Sequence, residues 1–148
     1  MKTMLLGKPL DVKLLQIGLR LGGVLTLAIG LAHLLFPGVG YNHAIPDSMP
    51  PPVRAHFYYL ATYAIAAFLL SLGSISVLFS RLKHLPSAAL VACVLAALWT
   101  ARFGLELLYP VEVPLFSVAR PGTVLLPVIG ALAGLYLTAA VVNLRRLA

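Results

Sequence analysis

The sequence predicts an all-α integral membrane protein, an antiparallel bundle of four transmembrane helices with both termini in the cytoplasm. Of its 148 residues, 61% are hydrophobic and 10% are charged, whereas a soluble domain carries about 25% charged residues. The apolar residues form long segments, each near the ~20 residues that cross a bilayer. The basic residues collect near the segment ends, where topology signals and lipid headgroup contacts lie. These observations indicate a surface that faces lipid.

Four transmembrane spans are predicted, at residues 14–36, 55–80, 87–109 and 122–143, and together they form a single transmembrane domain over residues 1–148. Proline marks their boundaries, because it is tolerated in the first turn of a helix and disfavours helix in the residue before it. The boundary prolines are Pro37, Pro50, Pro51, Pro52, Pro86, Pro110 and Pro121. Residues 1–13 are expected to be a cytoplasmic lead-in. A signal peptide is the alternative, but the apolar stretch that follows is longer than a typical signal-peptide core.

The charge distribution orients these spans. An even number of spans places both termini on one side, together with the short connection between the second and third spans. That side holds most of the basic residues outside the spans: Lys2, Lys8, Lys13, Arg81, Lys83, Arg145 and Arg146. The opposite side holds Arg54 and Arg120. By the positive-inside rule the termini are cytoplasmic, which predicts a multi-pass membrane protein.

Two features predict which helices pack together. The short connection predicts that the second and third spans are antiparallel neighbours. Small residues at GxxxG spacing favour close contact between membrane helices, and they occur at Gly18 and Gly22 and again at Gly130 and Gly134. The first of these faces continues through Thr26. We therefore expect the first span to contribute a helix contact along this face.

Several function classes are not supported. The formal charge is +7, but the basic residues lie at segment ends, so nucleic-acid binding is not predicted. Cys93 is the only cysteine, which excludes an internal disulfide and a CxxC redox pair. The sequence has no GxSxG motif. The serines of the second span, Ser71, Ser74 and Ser76, lie in its cytoplasmic half and are expected to hydrogen-bond within their own helix.

A group of polar side chains is predicted at the outer end of the bundle. Arg102 and Glu106 lie at spacing i, i+4, where they can pair, and an unpaired charge in an apolar span costs on the order of several kcal/mol. From their distance to Pro110, we expect Glu106 to reach the interface and Arg102 to lie deeper. The candidate ligand-binding residues come from three spans: His33, His56, Tyr59, Tyr63, Arg102 and Glu106. The loops add nearby polar residues: Tyr41, His43, Asp47 and Glu112.

Four interpretations of this group are open. The simplest is a structural ion pair between Arg102 and Glu106. A quinone or another amphipathic molecule would use the polar side chains for its headgroup and an apolar cleft for its tail. A metal ion would use His33, His56 and Glu106, although no HxxxH or HExxH spacing supports it. A tetrapyrrole on His33 would use the room beside Gly30. We rank the metal and the tetrapyrrole below the quinone.

The chain resembles the small four-helix bacterial membrane proteins of the broad DoxX-like group. The resemblance rests on the first-span sequence LRLGGVLTLAIGLAHLLFP and on the third-span ending ARFGLELLYPVEVPLF, together with the size and the four spans. It implies a four-helix membrane fold, and some members of the group are similar to subunits of quinone-linked oxidoreductases. No catalytic motif of the group can be placed on individual residues of this chain.

Two functional hypotheses follow. The first is a non-enzymatic integral membrane protein, either an accessory subunit of a larger membrane complex or a binder of a small ligand. The alternative is a redox-linked membrane protein that binds a quinone at the outer polar group. Transport is less well supported, because a lone four-helix bundle leaves little room for a pore.

Overall fold

The computed structural model describes residues 9–35, 48–81, 85–110 and 118–147. Their helices are α1 (Pro9–His33), α2 (Pro51–Tyr59), α3 (Ile65–Phe79), α4 (Leu85–Leu108) and α5 (Gly122–Leu147), and a π-helical turn, Leu60–Ala64, joins α2 directly to α3. Within these described ranges, four stretches are long and apolar enough to cross a membrane: Asp11–His33, Pro51–Phe79, Pro86–Leu108 and Gly122–Val142. The predicted all-helical, multi-pass membrane protein is confirmed at this level.

The helix ends differ from the predicted ones where proline is involved. The second span was predicted to begin at residue 55, after the prolines, but α2 begins at Pro51. The backbone N–H groups of Val53 and Arg54 both donate to the carbonyl of Pro50, at 3.0 Å each. Proline fits this first turn because the missing N–H would have had no partner within the helix. The first helix ends at His33 and closes through a turn in which Leu34 N–H donates to the Leu31 carbonyl.

Helix α1 is the centre of the packing. It packs most extensively against α3 and next against α5, while α4 packs mainly against α5. Helices α3 and α4, predicted to be antiparallel neighbours, touch only slightly, so their pairing is a minor contact of the bundle. A short connection fixes only the adjoining ends of two helices, whereas the extent of contact depends on which faces allow the backbones to approach.

Glycine on α1 is what allows this approach. A Cβ atom at Gly22 would lie 2.6 Å from the ring of Tyr136, and one at Gly18 would lie 2.9 Å from the Cβ of Ala139, both on α5. On the α3 side, a Cβ at Gly73 would lie 2.9 Å from the carbonyl oxygen of Gly23. The predicted contact face of α1 is confirmed, and α5 occupies its first GxxxG pair within the chain itself.

The surface of the bundle is apolar. The buried core contains Leu15, Leu19, Leu95, Leu132 and Tyr136, while many other leucines, such as Leu90 and Leu108, project outward. A soluble monomer rarely exposes so much contiguous apolar surface. This distribution matches helices whose outer faces contact lipid.

Candidate functional site

The Arg102–Glu106 pair forms on the last two turns of α4. Arg102 Nη2 donates to Glu106 Oε2 at 2.6 Å, and the exposed fraction of the side chain is 41% for Arg102 and 1% for Glu106. The predicted pairing is confirmed. Within the bundle the carboxylate is the buried member and the guanidinium is the one that remains accessible. The expected depths of the two residues in the membrane stay a prediction.

The rotation of α4 explains which member is buried. Trp99, Phe103 and Glu106 follow one another at spacings of four and three residues, so they share a face of the helix. Trp99 is buried in the core, Phe103 packs against it, and the Phe103 ring approaches Gly130 of α5. Glu106 therefore continues the face of α4 that packs into the bundle. Distance along the axis, on which the expectation rested, carries no information about this rotation.

His33 brings α1 to the same group. Its Nδ1 lies 2.9 Å from the carbonyl oxygen of Ile29, and its ring interacts electrostatically with Arg102. A carbonyl oxygen only accepts hydrogen bonds, so Nδ1 is the donor, and in the neutral ring Nε2 is then the acceptor nitrogen. We group His33 with Arg102 and Glu106 as the α1–α4 polar site, because a charged His33 ring lies within electrostatic range of Arg102.

The other three candidate residues belong to the second span and project away from the bundle. His56, Tyr59 and Tyr63 are all exposed, and α2 contains no buried residue. The rings of Tyr59 and Tyr63 stack with centroids 5.8 Å apart, and the His56 ring meets Phe57 edge-on at 6.3 Å. We call His56, Phe57, Tyr59 and Tyr63 the α2 aromatic surface. The six candidates therefore divide between an inward site and an outward surface.

The structure bears on two of the alternative ligands, the metal ion and the tetrapyrrole. Within the described ranges, no three His, Cys, Asp or Glu side chains are close enough to hold a metal ion. The room expected beside Gly30 for a tetrapyrrole is filled by α3, since a Cβ on Gly30 would lie 3.1 Å from Leu70 and 3.2 Å from Leu69. The loop residues Tyr41, His43, Asp47 and Glu112 lie outside the described residues.

A second buried polar group was not predicted as a unit. Tyr136 Oη of α5 donates to Ser76 Oγ of α3 at 3.1 Å, and Ser76 Oγ donates to the Leu19 carbonyl of α1 at 2.7 Å. Thr26 Oγ1 donates to the Gly22 carbonyl at 2.8 Å and lies 3.4 Å from Tyr136 Oη. We call Thr26, Ser76 and Tyr136 the hydroxyl network, and it ties three helices together.

The expectation that Ser76 bonds within its own helix is wrong, although Ser71 does so, donating to the Ala67 carbonyl at 2.8 Å. Ser76 reaches α1 because Gly23 and Gly73 bring the two backbones into contact. The signal in the sequence was the pairing of small residues on two spans.

Comparisons of the chain with protein families, curated proteins and solved structures found no match.

Proposed function

We propose that the chain is an antiparallel four-helix protein of the bacterial inner membrane with both termini in the cytoplasm, in the manner of the DoxX-like group that it resembles. The register of the helix contacts supports the antiparallel order. Gly18 faces Ala139 and Gly22 faces Tyr136, so residue numbers fall along α5 as they rise along α1. Lys13 and Arg81, at the same end of α1 and α3, support the orientation by the positive-inside rule.

The orientation is tested by labelling single cysteines with a membrane-impermeant maleimide. The background is Cys93→Ala, which removes the only native cysteine. Arg81→Cys is expected to react only in inverted vesicles, and Arg120→Cys only in right-side-out vesicles. Labelling of both variants from the same side would contradict the proposed topology.

The proposed role is that of a non-enzymatic accessory subunit, which binds another membrane protein through the α2 aromatic surface. The carrying observation is that α2 contributes no buried residue to its own bundle, while α2 and the π-helical turn after it present two exposed ring pairs, His56 with Phe57 and Tyr59 with Tyr63. Aromatic residues are enriched in the cores of protein interfaces.

The test uses a photo-crosslinking phenylalanine analogue in place of Phe57, in native membranes. The matched control carries the analogue in place of Leu137, which lies on α5 and is about equally exposed, 50% against 48% for Phe57. We expect a discrete protein adduct from position 57 and none from position 137, and a high-mass assembly after gentle extraction. Lipid adducts alone from both positions, with recovery only as a monomer, would contradict the accessory role.

A second candidate function is quinone binding at the α1–α4 polar site. The observation that favours it is a buried carboxylate paired with an accessible guanidinium, with the imidazole of His33 within electrostatic range of that guanidinium. Arg102 would donate to a quinone carbonyl, while Glu106 and His33 would exchange protons with the ring oxygens. Apolar residues of the surrounding helices would contact the tail.

Quinone content of the gently purified protein tests this candidate. We expect Arg102→Ala to lose bound quinone and Arg120→Ala, a matched exposed arginine, to keep it. His56→Ala separates the two groups of candidate residues, since it is expected to keep quinone if the α1–α4 polar site is sufficient. Equal quinone content in wild type and Arg102→Ala would sink the proposed site.

A further inference from the structure

A basic cleft lies between the beginning of α1 and the residues that follow α3. It has a volume of about 210 Å³ and is lined by Lys13, Gln16, Ile17, Arg20, Ser80 and Arg81. Three of these side chains are cationic and exposed, and no acidic residue is among those that line it in the described part of the chain. A concave surface of one charge focuses the potential and concentrates counter-ions.

The cleft is built by ordered helix ends. Lys13, Ile17 and Arg20 fall at spacings of four and three residues, so they share one face of α1. On the other wall, Ser80 Oγ donates to the Val77 carbonyl at 2.6 Å, and Arg81 N–H donates to the Leu78 carbonyl at 3.0 Å. These bonds close the end of α3 and hold Arg81 beside α1. The cationic groups are thus brought together by the α1–α3 packing itself.

The cleft continues into an apolar strip. Ile17, which lines it, is followed on the same face by Leu21 and Val24, and all three are about half exposed. The basic end lies where the apolar spans begin and end, since the first span starts at Asp11 and the second ends at Phe79. Phospholipid headgroups occupy this level of a bilayer. A ligand that fits both parts carries an anionic group on an apolar chain.

We infer that the cleft binds the phosphate headgroup of an anionic phospholipid. Lys13 and Arg81 contact the phosphate oxygens, and Arg20, about two turns further along α1, extends toward the same group over its apolar stem. An acyl chain lies along Ile17, Leu21 and Val24. A lipid headgroup and a free phosphate ion would both present an oxyanion to the cleft. The apolar strip favours a lipid as the source of that oxyanion. This inference does not rest on the accessory or quinone role.

Lipid titration followed by native mass spectrometry tests the inference on the full chain in detergent. The probes are phosphatidylglycerol and phosphatidylcholine with identical acyl chains, and inorganic phosphate in excess. We expect phosphatidylglycerol to bind at least about ten-fold more tightly than phosphatidylcholine. Arg20→Gln with Arg81→Gln is expected to weaken phosphatidylglycerol binding about thirty-fold, on the order of five-fold for each cation removed near the surface.

Two matched variants control for charge and folding. Arg54→Gln with Arg120→Gln removes the same charge elsewhere and is expected to leave the affinity within about two-fold of wild type. Arg20→Lys with Arg81→Lys keeps the charge and is expected to retain most of the binding. Equal losses in the cleft and control variants would overturn the site. If inorganic phosphate by itself displaced phosphatidylglycerol, the assignment of a lipid as the ligand of the cleft would be overturned.

Discussion

Two of the regions in which the bundle buries polar groups are built in opposite ways. The hydroxyl network of Thr26, Ser76 and Tyr136 lies between three helices, carries no charge, and has each hydroxyl within hydrogen-bonding distance of a partner. The α1–α4 polar site holds a full charge pair, with Glu106 buried and Arg102 half open to the surroundings. The side chains of the hydroxyl network are all buried, whereas Arg102 of the α1–α4 polar site is accessible.

This difference distinguishes a structural hydrogen-bond network from a candidate ligand-binding site. A Ser or Thr hydroxyl can share a backbone carbonyl that already accepts a helix bond, because the oxygen has two lone pairs, so the network leaves the helix hydrogen bonds in place. A buried carboxylate depends on the particular cation beside it. Because that cation is accessible, an incoming polar headgroup can compete for it. The network is therefore expected to govern helix packing, and the pair to be the more sensitive to substitution.

The largest effect is expected from Arg102→Ala. It removes the 2.6 Å partner of a carboxylate whose side chain is 1% exposed, and breaking one side of a buried pair costs about 3 kcal/mol or more. In Glu106→Gln the residue that loses its charged partner is Arg102, which is partly exposed and can be solvated by other groups. We therefore expect a smaller loss of unfolding free energy, about 1 kcal/mol. The measurement is the free energy of unfolding in mixed micelles.

The double variant sharpens this asymmetry. Arg102→Ala with Glu106→Gln is expected to lose less stability than the sum of the single variants, since the two residues contact each other. Arg120→Ala, an exposed arginine outside the pair, is the control and is expected to change stability by less than about 0.5 kcal/mol. A greater loss in Glu106→Gln than in Arg102→Ala would show that the carboxylate is not the sensitive member.

An intermediate effect is expected where α1 meets α3. A Cβ at position 73 would lie 2.9 Å from both the Gly23 carbonyl oxygen and the Leu27 backbone nitrogen, and backbone atoms cannot move aside as a side-chain tip can. Gly73→Ala is therefore expected to cost about 2 kcal/mol of unfolding free energy by overpacking. Gly134→Ala is the control, because nothing lies within 4 Å of its added Cβ. Equal losses in the two variants would contradict the close α1–α3 approach.

The sequence predicted the four helices and the Arg102–Glu106 contact well, for a physical reason. A chain in lipid must satisfy its backbone hydrogen bonds within each span, so apolar length alone indicates helix, and i, i+4 spacing on a helix brings two side chains together. Both inferences need only local geometry. The contact face through Gly18 and Gly22 was predictable in the same way, because small residues at that spacing form a flat strip.

The rotation of each helix about its axis was beyond the sequence. Spans that are apolar nearly all round have no polar face to mark the outside, so the sequence did not predict which member of the Arg102–Glu106 pair is buried in the bundle. The same ambiguity hid the outward direction of His56 and Tyr59. Ser76 was missed as a link between helices because its acceptor, the Leu19 carbonyl, is set by tertiary packing.

The smallest effect is expected from the hydroxyl network, and it tests whether the network is purely structural. Tyr136→Phe removes the hydroxyl that donates to Ser76 at 3.1 Å while keeping the ring against Gly22, so we expect a loss of about 0.6 kcal/mol, the average for such bonds in membrane bundles. Ser71→Ala, which removes an exposed bond within one helix, is the control with a change near zero. Quinone and partner binding should be unchanged in Tyr136→Phe. A loss of either without a loss of stability would move the candidate site from α4 to the centre of the bundle.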